Sequence, residues 1–131
     1  MSTTEQEVWQ VVKAFNQAFA QNDSERYFTF IDDDITVLTP GNPYRVEGLA
    51  DDREEFEFGL RAGYSRVSYF QALQPAVRVF DDTAVVTYYS RGHYGPDDSA
   101  KTLYLKETDV LIKREGHWKL IHIHVSSSSI G

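Results

Sequence analysis

Apolar residues recur at three- and four-residue intervals through the N-terminal segment. Val8, Val11, Val12, Phe15, Ala18 and Phe19 form one stripe, which predicts an amphipathic helix. Ser2, Thr3 or Thr4 can cap its start, Glu5 and Glu7 suit its first turn, and Asn22-Asp23 breaks it. A short second helix carries Tyr27, Phe28, Phe30 and Ile31, is ended by Asp32-Asp33-Asp34, and leads into a strand over Ile35–Thr39. Pro40-Gly41-Asn42-Pro43 marks a turn, Tyr44 to Glu47 a short strand closed by Gly48, and residues 49–62 a third helix with Leu49, Phe56, Leu60 and Ala62. Beyond Gly63 the pattern is that of strands. Ser65 to Phe80 is long and interrupted by Pro75, which predicts a bulge or an edge position. Thr83 to Tyr94, residues 101–113 and residues 117–126 follow, separated by Asp and Gly turns.

Helices first and a meander of long antiparallel strands afterwards is an α+β pattern, with three N-terminal helices packed on the concave face of a curved sheet. A cavity is expected between helices and sheet, and a second subunit over the convex face. The 131 residues make one domain, expected over 1–126, with a flexible tail over 127–131. A net charge of −7 argues against nucleic acid and anionic membranes as partners. Cysteine is absent, which removes disulfides, thiolate chemistry and Cys-based metal sites. No apolar run is long enough to span a bilayer, and the first residues do not resemble a signal peptide, so a cytoplasmic location is expected.

The last strand, Gly116-His117-Trp118-Lys119-Leu120-Ile121-His122-Ile123-His124-Val125-Ser126, holds the candidate chemistry. Strict alternation puts Trp118, Leu120, His122, His124 and Ser126 on one face and Ile121, Ile123 and Val125 on the other. The β-branched face belongs inward, which assigns Trp118, His122 and His124 to the outer face as a subunit contact. The other histidines, His93 and His117, supply no obvious third ligand, so no metal is expected. Hairpin pairing then turns Leu105, Glu107, Asp109 and Leu111 inward, with Val86, Tyr88 and Ser90 on the preceding strand. An inward Asp109 among aromatic residues is the candidate acid or base, because burial raises a carboxyl's pKa.

Asn22-Asp23, Val46-Glu47-Gly48, Glu107-Thr108 and Gly116-x-Trp118-x-x-x-His122-x-His124-x-Ser126 together resemble the nuclear transport factor 2-like superfamily, in its SnoaL-like branch. The last run is also similar to the association domain of calcium/calmodulin-dependent kinase. The resemblance covers nearly the whole chain and implies a cone-shaped, half-open barrel that dimerises through its convex sheet face. It implies a pocket lined by Phe15, Tyr27, Phe30 and Phe56 from the helices, by Thr39 and Tyr44 at the mouth, and by Tyr88, Ser90, Leu105, Glu107, Ile121 and Ile123 from the sheet.

Residue by residue, the steroid-isomerase pattern in this superfamily puts its base at Thr39 and its tyrosine near Phe15, and neither can do that proton chemistry. Its acid falls close to Asp109. The dehydratase pattern needs an inward histidine. The kinase hub's cavity arginines fall at Ser90 and Asp109, which favours a neutral, polar or cationic ligand. Three functions follow as expectations. The first is a small-molecule-binding dimer that needs no cofactor. The second is an isomerase, cyclase or dehydratase acting on a small apolar carbonyl compound through Asp109. The third is an oligomerisation hub.

Overall fold

A computed structural model describes residues 1–62 and 67–128. Helix α1 (Thr3–Ala20) starts at a capping box, in which Ser2 Oγ accepts the Glu5 N–H at 3.2 Å and Glu5 Oε1 accepts the Ser2 N–H at 2.7 Å. Val8, Val12, Phe15, Asn16 and Ala18 form its buried stripe. The chain leaves α1 through Asn22, whose φ of 55° lies in the left-handed region that Asn tolerates. The Asn22 amide then bridges the backbone of Val67, donating to its carbonyl at 2.8 Å and accepting its N–H at 2.9 Å. Asp23 caps the short α2 (Ser24–Thr29) by accepting the Arg26 N–H at 3.2 Å.

Strand β1 (Ile31–Leu38) begins at Ile31, earlier than the expected Ile35. The three aspartates that read as a helix stop are strand residues. Asp32 is buried and pairs with Arg114 at 3.3 Å, and the same guanidinium reaches Asp34 at 3.4 Å. Strand β2 (Val46–Glu47) ends at Gly48, whose φ of +90° favours glycine, and α3 (Leu49–Ala62) starts there. Four long strands follow: β3 (Val67–Phe80), β4 (Thr83–Tyr94), β5 (Lys101–Arg114) and β6 (His117–Ser127). The expected strand residues Ser65 and Arg66 lie outside the described residues.

The described strands form one sheet in the order β2-β1-β6-β5-β4-β3, antiparallel except where β1 runs parallel to β6. The sheet is strongly curved but not closed, with the helices on its concave side, which gives the α+β cone. Pro75 sits on the edge strand β3, in a bulge between Leu73 and Ala76 where Gln74 has a φ of 54°. At the C-terminal end Ser127 still belongs to β6, and the Ser128 N–H donates to the Tyr104 carbonyl at 2.9 Å. The rest of the expected tail, 129–131, lies outside the described residues.

A second bulge corrects the phase of β6. Leu111 pairs with Leu120, but Val110 pairs with His122, so Ile121 is the extra residue. Before it, Trp118 and Leu120 face the helices and join the core; after it, Ile123 and Val125 do. Trp118 is therefore buried inside the cone, not on the outer face that strict alternation assigns to it. His122 and His124 do lie on the outer face. Val8, Val12, Ile31, Ile35, Leu111 and Leu120 fill the closed end of the cone with essentially no exposure.

Candidate functional site

Toward the open end, the helices and the sheet diverge around a cavity of about 270 Å³. Aromatic rings from five elements stand in its wall: Phe15 and Phe19 from α1, Tyr27 from α2, Phe56 from α3, Phe70 from β3 and Tyr94 from β4. Tyr27 stacks on Phe56 with centroids 4.4 Å apart, and Phe15 lies 4.6 Å from Tyr27. Leu105, Ile123, Val125 and Val37 complete the sheet side, and Thr39, Pro40 and Gly41 form part of the rim.

The polar end is built on β4 and β5, where alternation turns Tyr88, Glu107 and Asp109 to the same side. Tyr88 pairs with Glu107 and Val86 with Asp109 across the two strands. Tyr88 Oη is hydrogen-bonded to Glu107 Oε2, lies 3.0 Å from Asp109 Oδ2 and lies 3.2 Å from the Asn16 amide. A phenol has one proton, so it can donate to only one of these carboxyls. Because an amide's oxygen and nitrogen are interchangeable in shape, the Asn16 Nδ2 can serve as the donor to Tyr88 Oη, which leaves the phenol proton for a carboxylate.

Burial raises the pKa of both carboxyls. Asp109, with no exposure at all, is held well above the ordinary carboxylate range, first by burial and then by the charge of Glu107. At Glu107 burial is the larger cause, and its hydrogen bonds to Asp109 and Tyr88 offset part of the rise. Tyr88 is pushed far above 10 by burial and by both carboxyls and stays a neutral donor. Only Glu107 of the two acids reaches the cavity wall; Asp109 sits behind it.

A second acid meets the cavity from the helix side. Asp52 occupies the first turn of α3 and is only 5% exposed. Its Oδ2 is buried without a hydrogen-bond partner. Burial, with smaller contributions from Asp51 and Glu55, pushes its pKa from 3.8 to about 7, against the helix N-terminus that favours a carboxylate there. Asp52 is not among the site residues that the sequence suggests, because an acid in an acid-rich helix is ordinarily solvated. The signal was present: Asp52, Phe56 and Gly59 fall at helical spacing on one face, and all are buried.

The expected pocket residues divide into several groups. Phe15, Tyr27, Thr39, Phe56, Leu105, Glu107 and Ile123 line the cavity. Tyr88 and Ser90 face inward but are buried beneath its wall. Ile121 leaves the lining because it is the bulged residue, and Val125 stands in the wall instead. Phe30 packs at the core's edge, where its carbonyl accepts the Leu120 N–H at 2.8 Å. Tyr44 is 78% exposed and covers nothing, since the rim runs through Pro40 and Gly41.

On the outer face His122 Nδ1 lies 2.7 Å from Thr36 Oγ1, and the His122 and His124 rings are 6.4 Å apart. Among the described residues no group of three or more His, Asp or Glu side chains is placed to hold a metal ion. No helix among them is long and apolar enough to cross a membrane.

A family model for the SnoaL-like domain matches residues 8–130. The delta subunit of calcium/calmodulin-dependent protein kinase type II from Oryctolagus cuniculus is 30% identical over 128 residues, which is 94% of this chain but 24% of the kinase subunit. The chain thus spans about a quarter of that relative's length. The hub of the same kinase from S. rosetta superposes with a TM-score of 0.80 at 28% identity, covering 98% of this chain and 99% of the hub. A nuclear transport factor 2-like protein of unknown function from Pseudomonas putida gives a TM-score of 0.85 at 23% identity over 98% of this chain and 89% of its own, a likeness of fold. With the family model spanning nearly the whole cone, the chain belongs to the SnoaL-like domain family.

Proposed function

We propose that this protein binds a small, largely apolar molecule in the cavity and that Glu107 exchanges a proton with it, with Asp109 as the proton store behind. One observation carries the reading: a buried carboxyl pair, bridged by the Tyr88 hydroxyl, stands at the inner end of a cleft whose wall is rich in aromatic and aliphatic side chains. Such a buried cluster costs stability relative to apolar packing, which a purely structural core has no need to bear. The expected acid or base thus divides into two roles, with Glu107 meeting the ligand and Asp109 holding the proton. An isomerase, cyclase or dehydratase reaction on a small carbonyl compound uses such a group, since a raised carboxyl pKa lets it give and take a proton near neutrality.

The test has two arms. Amide NMR shifts on titration with cyclohexanone should cluster at Phe56, Leu105, Glu107 and Ile123 if the cavity binds. The native chain should also accelerate deuterium exchange at the ketone's α-carbons, and Glu107→Gln should reduce that acceleration by about 10²-fold or more. Shifts confined to the outer face would refute the binding reading. Equal exchange with and without protein would refute the proton-exchange role.

A second reading concerns the outer sheet face. The similarity to a kinase hub and the exposed Tyr69, Tyr89 and His124 support self-association through this face, most simply as a homodimer. Trp118 takes no part in it, because it faces the core.

A further inference from the structure

We propose that the ligand of the cavity is an organic cation, an ammonium compound with a compact apolar body, whose positive group is held at the α3 wall by Asp52 and Glu55. The inference rests on the small-molecule reading above and names the class of ligand. The wall carries carboxyls from two sides, Asp52 and Glu55 on α3 and Glu107 on β5, and among the described residues it holds no Lys, Arg or His. The basic residue next to Asp52 in the chain is engaged elsewhere: the Arg53 guanidinium sits 4.5 Å over the Phe28 ring and 3.7 Å from Glu57.

The acids alone would not define a site. Two further features do. Asp52 is buried and lines the cavity while its Oδ2 has no hydrogen-bond partner, so its carboxylate charge is uncompensated, a costly arrangement that a cation at the wall relieves. Aromatic rings from the helices and the sheet stand beside these acids in the wall. Phe19 lies 6.3 Å from Phe56, 5.7 Å from Phe70 and 6.1 Å from Tyr94. Ring faces are electron-rich and attract cations, most strongly where water is excluded, whereas they repel a carboxylate or phosphate. The cavity of about 270 Å³ lies at the small end of ligand sites, which suits one ring or a short branched chain beside the charged group.

Titration calorimetry of the native chain with benzyltrimethylammonium, with its neutral carbon isostere neopentylbenzene and with phenylacetate tests the inference. The cation should bind about tenfold or more tightly than the isostere. Asp52→Asn should lower cation affinity several-fold and leave the isostere's affinity unchanged. Glu55→Gln, at an exposed position where folding is not at stake, should lower cation affinity in the same direction. Isostere or phenylacetate binding as tight as the cation's would overturn the cation assignment and leave the small-molecule reading standing. Silence from all three probes would count against both.

Discussion

Asp52→Asn should change how stability depends on pH, and by an amount the structure sets. In the folded chain burial holds the Asp52 carboxyl at a pKa of about 7, whereas its ordinary value is 3.8. A folded pKa above the unfolded one means that the native state binds the extra proton. The stabilisation is therefore complete below about pH 3.8 and is lost as pH rises through about 7. The full gap corresponds to about 4 kcal/mol, of which roughly 2–3 kcal/mol disappears between pH 5 and pH 8. Against a total of about 5–15 kcal/mol for a domain of this kind, that is readily measured.

Asn keeps the shape and carries no charge at either pH. Urea unfolding of both proteins at pH 5 and pH 8 isolates the effect as a difference of differences, because the Glu107–Asp109 pair and the surface acids titrate alike in both. The variant should gain on the native chain by about 2–3 kcal/mol on going from pH 5 to pH 8. If the two stability curves run parallel across that range, Asp52 is not held protonated by burial and the argument fails.

Other perturbations separate the faces of the sheet. Trp118→Ala should cost about 3–5 kcal/mol in chemical denaturation and leave self-association per folded chain unaltered, as a core residue requires; weakened association without lost stability would return Trp118 to the outer face. His122→Ala combined with His124→Ala should shift sedimentation equilibrium toward smaller species with a stability change below about 1 kcal/mol, and an unshifted distribution would remove these residues from the interface. Asn22→Ala removes both hydrogen bonds to Val67 and should destabilise the fold by about 2 kcal/mol, with faster amide exchange at the start of β3; unchanged exchange there would mean the clamp is idle.

Element order and the inward face of the sheet were legible because period carries that information directly. Alternation alone turned Tyr88, Glu107 and Asp109 to one side. What period cannot encode is an interruption of itself, and Ile121 is one: a strand with an extra residue reads as a strand in the wrong phase, which moved Trp118 to the wrong face. The acidic run after α2 misled for a related reason. Three aspartates in a row look like solvated helix-ending residues until Arg114, distant in the chain, is known to pair with two of them. Asp52 was hidden by composition, since most acids on such a helix are solvated and only its four-residue spacing from Phe56 marked it as different. Tyr44 and Phe30 show the remaining limit. An aromatic residue near a turn or a helix end has no periodic partner to fix its direction, so its burial depends on loop path alone.

The bulge at Ile121 has a use beyond rotating side chains. Without Ile121 the strand would read Trp118, Leu120, Ile123, Val125 inward and Lys119, His122, His124 outward in unbroken alternation, so the extra residue leaves the inside and outside sets intact. What it adds is local twist and bend, midway along the strand that joins the packed end of the cone to the open one. The width of the cavity is then governed by the length of a strand as much as by the side chains in the wall. A lineage carrying this fold can enlarge or flatten its cleft by gaining or losing one residue that never touches a ligand, while the core below and the outer face stay in register.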